Sequence, residues 1–119
     1  MIKTVEKPWG REEWIEVNDA FATKFLYITA GCRLSLQYHE VKTEMLYLIY
    51  GPLLYRYGTE DKVLMYPGEM IYIPAGIEHR FCAPPDKNVL LFEVSSPELD
   101  DIVRIDDDYD RPVLEGTIQ

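Results

Sequence analysis

Hydrophobic and polar positions alternate along most of this chain in short runs, and a period of two residues is typical of β-strands. The runs are rich in β-branched and aromatic residues, and turn signals such as YPGE, PAG and APPDKN separate them. The pattern therefore predicts strands over residues 11–17, 23–29, 33–39, 44–50, 53–57, 62–66, 69–74, 79–83 and 88–94. Such regular spacing predicts an all-β sandwich or barrel.

The segments outside these strands carry weaker patterns. The best candidate for a helix is PELDDIV, residues 97–103, with room for only one or two turns. The first ten residues and everything after Asp106 are predicted to be arms. At 119 residues the chain is predicted to form a single domain, 1–119, whose barrel core covers about residues 11–96.

Composition narrows the possible partners and the cellular location. The net charge of −9, from 12 basic and 21 acidic residues, argues against nucleic acid and anionic membranes as partners. A local cation can still bring an anionic ligand into a pocket. Cys32 and Cys82 are too few for a disulfide framework, so both are interpreted as reduced thiols that pack as small buried hydrophobic residues. The N-terminus resembles neither a signal peptide nor a membrane span, and a cytoplasmic location is predicted.

The candidate chemistry starts on the predicted strand 33–39. Residues two apart on a strand project to the same side. One face of this strand therefore holds the polar residues Arg33, Ser35, Gln37 and His39. A polar face with several potential ligands suggests the lining of a cavity, and a solvent-exposed edge strand is the alternative.

Two blocks of fixed spacing contain the candidate ligands. The first places a glycine six residues before Gln37-x-His39, Glu44 five residues after His39, and a second glycine seven residues after Glu44. The second block has the spacing G-x5-P-x-G-x2-H and ends at His79. Together they resemble the paired motifs of the cupin family, in which the first block is G-x5-H-x-H-x3–4-E-x6-G, with Gln37 in place of its first histidine. The resemblance implies a double-stranded β-helix, or jelly-roll, barrel.

The spacing of the four candidate ligands suits metal coordination. Gln37 and His39 face the same side of their strand, and a short turn brings Glu44 back on the neighbouring strand. With His79 from the second block, the set offers two imidazoles, one carboxylate and one amide oxygen. Such a set suits a divalent first-row ion with positions left open for substrate or water, and an empty polar pocket is the alternative.

A closer resemblance covers nearly the whole chain. The pieces KPWG, RLSLQYH, YIPAGIEHR, LLFEV and DDIVRIDDDYDR resemble the C-terminal cupin domain of the bifunctional (type II) mannose-6-phosphate isomerase/GDP-mannose pyrophosphorylases. In that family a Gln-x-His also replaces His-x-His, which implies Gln37, His39, Glu44 and His79 as metal ligands. The chain departs from the family where QMHHHRAEHW becomes QYHEVKTEML, with the loss of two histidines in the turn and the tryptophan.

The resemblance implies a metal-dependent aldose–ketose isomerase acting on a sugar or sugar phosphate. Zn²⁺ or Mn²⁺ suits such a reaction, because the ion polarises the carbonyl and hydroxyl oxygens while a general base moves the proton between C1 and C2. Two alternatives remain open: a non-catalytic sugar-binding cupin, suggested by the lost histidines, and a cupin dioxygenase with Fe²⁺. The dioxygenase is disfavoured because such sites generally resemble three histidines.

Further candidate residues are ranked around this site. Glu93, in the family's EV pair, is the candidate general base, with a satisfied carboxylate at the rim as its alternative. Lys24 and Arg33 are candidates to bind an anionic substrate group; a solvated lysine and an ion pair are the respective alternatives. Arg80 follows His79 and points away from it by strand parity, which predicts a structural role.

Aromatic residues predict an assembly. The residues expected to point outward, Tyr38, Tyr47, Ile49, Tyr55 and Tyr57, exceed what a lone barrel needs on its surface, although single exposed aromatics are ordinary. Cupins that resemble this chain are commonly dimers. A homodimer is therefore predicted.

Overall fold

Residues 3–64 and 66–109 are described by a computed structural model of the protein, and they form strands, turns and loops without a helix. The eleven strands are β1 Lys3–Lys7, β2 Gly10–Val17, β3 Ala22–Ile28, β4 Leu36–Tyr38, β5 Glu44–Tyr50, β6 Leu53–Tyr57, β7 Glu60–Leu64, β8 Met70–Ile73, β9 His79–Cys82, β10 Val89–Ser95 and β11 Val103–Asp106. The predicted all-β class is confirmed.

The strands form two antiparallel sheets that enclose one core. The first sheet has six strands in the order β1-β2-β3-β10-β5-β8, and the second has five in the order β11-β4-β9-β6-β7. Both sheets contribute buried apolar side chains to a single cluster, including Leu26, Leu46 and Leu91 from the first and Leu53 and Phe81 from the second. Neighbours in space are mostly distant in sequence, which is typical of a jelly-roll.

The alternating sequence explains which side chains face inward. In β3 and β10, buried and half-buried positions alternate without interruption. Because apolar residues occupy most inward positions, the few charged ones stand out: Lys24 on β3, Glu44 at the start of β5 and Glu93 on β10 are all buried. Charged groups are seldom fully buried unless they are paired, so their clustering at one end of the core points to a site.

Three expectations about the ends of the chain need correction or lie outside the described residues. The first ten residues are not an arm, because β1 pairs along its whole length with β2 and Trp9 lies in the core with 3% exposure. The predicted helix over 97–103 is wrong: turns and irregular backbone lead into β11. The predicted C-terminal arm falls mostly on residues 110–119, outside the described part of the chain.

The predicted surface residues also need correction. Tyr47 is exposed, but Tyr55 and Tyr57 are half-buried and pack against the core cluster. Cys32 and Cys82 are free thiols, as predicted, and both are half-buried rather than buried. Burial raises the pKa of the Cys82 thiol.

Candidate metal centre

Three of the predicted ligands meet at one end of the core. His39 follows β4, Glu44 begins β5 and His79 begins β9, so three separate strands supply them. His39 Nε2 lies 3.7 Å from Glu44 Oε2, and His79 Nε2 lies 3.3 Å from Glu44 Oε1. One ligand atom from each residue fits within 4.8 Å of the others, and all three side chains are buried. This is the spacing expected of groups that share one ion.

The orientation of both imidazoles is fixed by the backbone. The Nδ1 of His39 lies 2.5 Å from the carbonyl oxygen of Asp101, and the Nδ1 of His79 lies 2.9 Å from the carbonyl oxygen of Ile77. Because a carbonyl oxygen can only accept, Nδ1 carries the proton in the neutral ring and Nε2 keeps its lone pair. Neither Nε2 has a hydrogen-bond partner among the described residues. Two buried ring nitrogens that lack a hydrogen-bond partner and are held in this way fit a metal ion.

The two sequence blocks are joined at this point by a glycine. The N–H of Gly76 donates to the carbonyl oxygen of His39 over 2.7 Å. Gly76 has a φ of 87°, in the left-handed region that glycine adopts at little cost. The Pro-x-Gly turn of the second block therefore anchors the end of the strand that carries Gln37 and His39.

Glu44 is ionised in this environment. Burial opposes its ionisation, but the positive charge of Lys42 outweighs that effect, so the pKa of Glu44 lies well below its ordinary value. The Lys42 Nζ is 3.1 Å from Glu44 Oε2. Glu44 is therefore available as an anionic ligand at neutral pH.

Gln37 lines the same cavity as His39 and Glu44. It lies directly opposite His79 in the pairing of β4 with β9. The hydroxyl of Ser35 donates to Gln37 Oε1 over 2.6 Å, which holds the amide in one orientation. Since a carbonyl oxygen has two lone pairs, Oε1 retains capacity for a further partner. Its role as a ligand stays a prediction.

The cavity beside the cluster has a volume of about 60 Å³ and a strongly charged lining. Predicted residues Glu93 and Lys24 both line it. Glu93 Oε2 lies 3.5 Å from Lys42 Nζ and accepts no hydrogen bond from the described residues. Lys24 is buried rather than solvated, with its Nζ 3.6 Å from Glu12 Oε1 and 4.6 Å from the centre of the Trp14 ring. Both side chains thus line the cavity, and their roles as base and substrate-binding residue stay predictions.

Arg33 is not brought into this cavity. Strand β4 begins only at Leu36, so the alternation expected from residue 33 fails, and Arg33 lies on the outer face of the second sheet. There it forms a bidentate ion pair with Asp108, at 2.6 and 2.8 Å, as its alternative assignment predicted. Arg80 also points away from the site, and its Nε donates to the carbonyl oxygen of Leu34.

Three cationic residues of the cavity, Lys7, Lys42 and Arg104, were missed by sequence reasoning. Lys42 lies in the turn between the ligands, and Arg104 comes from β11 with 2% of its surface exposed. Both stand in quoted motifs, Lys42 three residues after His39 and Arg104 in DDIVR. The pairing of β11 with β4, which puts Arg104 opposite Gln37, has no local signal in the sequence.

Asp101 holds the turn that carries the ligands, and it was also missed. Its carboxylate accepts hydrogen bonds from the backbone N–H groups of Glu40, Val41 and Lys42, at 3.0, 2.7 and 2.8 Å. Its carbonyl oxygen is the group that orients His39. Burial opposes ionisation of Asp101, but the three backbone donors outweigh it and lower its pKa.

The substitution Asp101→Ala is expected to reduce the free energy of unfolding by about 2 kcal/mol, because three backbone donors lose a charged acceptor. Since the folded-state pKa lies below the ordinary value of 3.8, this stabilisation is complete above about pH 4 and disappears as the pH falls through the folded-state pKa. Denaturant unfolding at several pH values measures it. The neighbouring exposed Asp100→Ala is the control, and equal losses in the two variants would contradict the assigned role.

The arrangement of two packed sheets with a ligand cluster at one end defines a class of fold. The chain resembles Rru_A2000 from Rhodospirillum rubrum, a cupin-2 domain, with a TM-score of 0.77 and 13% identity over 87% of this chain and 75% of that one. It also resembles an RmlC-like cupin from Shewanella frigidimarina, with a TM-score of 0.72 and 16% identity over 81% and 84% of the two chains. The fold is that of a cupin.

The particular family follows from the sequence comparison. Residues 1–107 match the family described as mannose-6-phosphate isomerase C-terminal, and the chain belongs to this family. It is 33% identical over 92% of its length to the xanthan biosynthesis protein XanB of Xanthomonas campestris. It is 32% identical over 93% of its length to the mannose-1-phosphate guanylyltransferase ManC of Salmonella typhimurium. The chain spans 24% of the length of each of these relatives.

The location of the protein stays a prediction. Over the described residues, the structure contains no helix with the length and apolar character needed to span a membrane.

Proposed function

We propose that this protein is a metal-dependent cupin that interconverts an aldose and a ketose. The observation that carries the proposal is the cavity that His39, Glu44 and Glu93 line together, with His79 completing the ligand cluster beside Glu44. Membership of the mannose-6-phosphate isomerase C-terminal family supports the same reaction class. Gln37 is the proposed fourth ligand, as its place in the same cavity allows.

The residues of the site divide the chemistry between them. When bound, a divalent ion, Zn²⁺ or Mn²⁺, supplies Lewis acidity to the carbonyl and hydroxyl oxygens of the sugar. On an aldose, Glu93 takes the proton from C2 and returns it to C1 while the proton of the C2 hydroxyl passes to the C1 oxygen, so that the product is an isomer and no co-reactant is consumed. Its unsatisfied Oε2 is the acceptor for that proton.

The substrate is proposed to be a carbohydrate. Lys24 and Arg104 are proposed to bind an anionic group on this substrate. Both line the cavity, and neither belongs to the ligand cluster. The volume of about 60 Å³ accommodates an ion and a few water molecules, so a hexose requires the mouth to widen. The half-buried lining residues Leu99 and Ile102 mark the side of the cavity at which this can occur.

A second candidate function is non-catalytic sugar binding by the same cupin. The narrow cavity favours it, together with the replacement of the family's turn histidines by Glu40 and Val41. A cupin dioxygenase is the third alternative, because two histidines and one carboxylate also match the ligand set of non-haem iron oxygenases.

Hydrogen exchange separates these functions. Metal-loaded protein is incubated in deuterated water with mannose 6-phosphate and a panel of free sugars, and deuterium at C1 or C2 is followed by nuclear magnetic resonance. Isomerase activity gives time-dependent exchange together with the second isomer. Binding without exchange on every sugar tested would overturn the isomerase and favour the binding function.

A homodimer is part of the proposal, and the outer face of the six-stranded sheet is its proposed interface. Uncharged residues occupy the outward positions of four adjacent strands, and one row runs Phe25, Phe92, Tyr47 and Met70 across them. Two copies of an uncharged patch can pack together without like-charge repulsion. Such a patch suits a two-fold interface in a chain whose net charge is −9.

The substitution Tyr47→Arg is expected to convert a dimer to a monomer, because two copies of the new charge would meet across a two-fold interface. Sedimentation equilibrium measures the mass of each variant. Leu54→Arg, at an exposed position of the other sheet, is the matched control and is expected to remain dimeric. A wild-type mass of one chain would contradict the dimer.

A further inference from the structure

Lys42 places a permanent positive charge inside the candidate metal centre. Its side chain is 8% exposed, and its Nζ lies 3.1 Å from Glu44 Oε2 and 3.5 Å from Glu93 Oε2. The two ion pairs favour the charged ammonium form of Lys42 in this cavity.

The ammonium and a metal ion would both draw on the carboxylate of Glu44. Glu44 Oε2 is the oxygen nearest to Lys42, and it is also the one that faces His39 Nε2 at 3.7 Å. Two cations that approach one carboxylate inside a buried cavity repel each other more strongly than they would in water. Lys42 thus opposes the ion for which the ligands are arranged.

We infer that Lys42 is a resident counter-cation that competes with the divalent ion for Glu44 and so makes metal binding weaker and more readily reversible. This inference rests on the proposed metal site. In the absence of metal, Lys42 lies beside two buried carboxylates and offsets part of their mutual repulsion. When an ion binds, Glu93 is the carboxylate that remains to pair with the displaced ammonium.

The arrangement explains how a buried cluster of this charge is stable when the ion is absent. Isolated buried carboxylates are costly, and Lys42 forms an ion pair with each of the two. Glu93 and Lys42 have opposite effects on metal binding. The negative charge of Glu93 attracts the metal ion as well as the ammonium, whereas the positive charge of Lys42 repels the ion. Substitutions at the two positions should therefore shift metal affinity in opposite directions.

Four variants test the inference through the dissociation constants for Zn²⁺ and Mn²⁺, measured by competition with a chromophoric chelator. Lys42→Met removes the competing charge and is expected to tighten binding by at least about tenfold. Lys42→Arg keeps the charge and should stay within about threefold of the wild type. Glu93→Gln leaves Lys42 with Glu44 alone and should weaken binding by at least about threefold. The half-exposed Lys62→Met is the control and should change nothing.

Stability provides a second readout that does not depend on activity. In chelator, Lys42→Met should melt at a lower temperature than the wild type, because Glu44 and Glu93 lose their common partner. Its rise in melting temperature on addition of Zn²⁺ should be larger than that of the wild type. If Lys42→Met does not fold without metal, the double substitution Lys42→Met with Glu93→Gln is measured instead, because it removes the positive and the negative charge together. The Glu93→Gln variant still shows in which direction the metal affinity changes.

The outcomes separate this inference from the metal site itself. Tighter binding by Lys42→Met together with weaker binding by Glu93→Gln supports the inference. A wild type that binds metal and a Lys42→Met variant with equal or weaker affinity overturns the inference alone, as does an unchanged affinity in Glu93→Gln. A wild type and variants that all fail to bind either ion overturn both the inference and the proposed metal site.

Discussion

Replacing His79 by alanine is expected to weaken the binding of Zn²⁺ or Mn²⁺ by at least about a hundredfold. Structural zinc sites gain about 10–16 kcal/mol from some four ligands, and a share of about 3 kcal/mol per ligand corresponds to a factor of that size. The Nε2 of His79 lies 3.3 Å from Glu44 and has no other partner among the described residues, so no nearby side chain takes over its place.

The same substitution also opens space in a packed core, and a matched variant separates that effect. Leu53→Ala opens space at a buried position of β6 in the main apolar cluster, outside the residues that line the cavity. It should lower stability and leave metal affinity nearly unchanged. Isothermal titration calorimetry on both folded variants gives the two affinities. Equal affinities for wild type and His79→Ala would remove His79 from the ligand set.

Replacing Glu93 by glutamine is expected to lower the rate of C1/C2 proton transfer by about 10²- to 10⁴-fold, the usual contribution of a general base. Glutamine has nearly the same shape and cannot take up the proton. Because the same change should weaken metal binding, the rate must be measured at saturating metal. Deuterium exchange on the sugar that the wild type converts best provides the measurement.

A second carboxylate in the same cavity serves as the control for that result. Glu12 lines the cavity and is paired with Lys24, with its Oε1 also accepting a hydrogen bond from the Trp14 indole. Neither contact is to Glu93 or to the ligand cluster, and Glu12→Gln should therefore change the rate less than about tenfold. If the two variants lose activity equally, the cavity is sensitive to any lost charge and Glu93 has no special role as the base.

Much of the fold could be predicted because the alternation is a local property. The strands at 44–50 and 53–57 have the same bounds in the sequence pattern and in the structure, since apolar residues face inward at every second position. The sequence pattern predicts an arm over the first ten residues, and only the pairing of Lys3–Lys7 with β2 makes that segment a strand. The pattern predicts a helix over residues 97–103, and the hydrogen bonds of Asp101 to a distant turn, which hold this segment in another conformation, have no sequence signal.

The candidate site could be predicted where spacing determines geometry. Residues two apart on a strand share a face, so Gln37 and His39 were expected together, and the structure places both along one cavity. The same rule failed for Arg33, because the backbone before Leu36 is not a regular strand. Lys42 reaches the cavity from a turn, and Arg104 reaches it from β11, which pairs with a strand distant in sequence. The alternation of polar and apolar residues predicts neither position.

The central claim is that His39, Glu44 and His79 bind a divalent ion, and element analysis tests it most directly. Wild-type protein and the His39→Ala variant are each equilibrated with Zn²⁺ or Mn²⁺, freed of unbound metal and analysed for zinc, manganese and iron. The wild type is predicted to retain about one ion per chain and the variant almost none, with zinc or manganese retained in preference to iron. Equal metal content in the two proteins, or none in either, would contradict the claim.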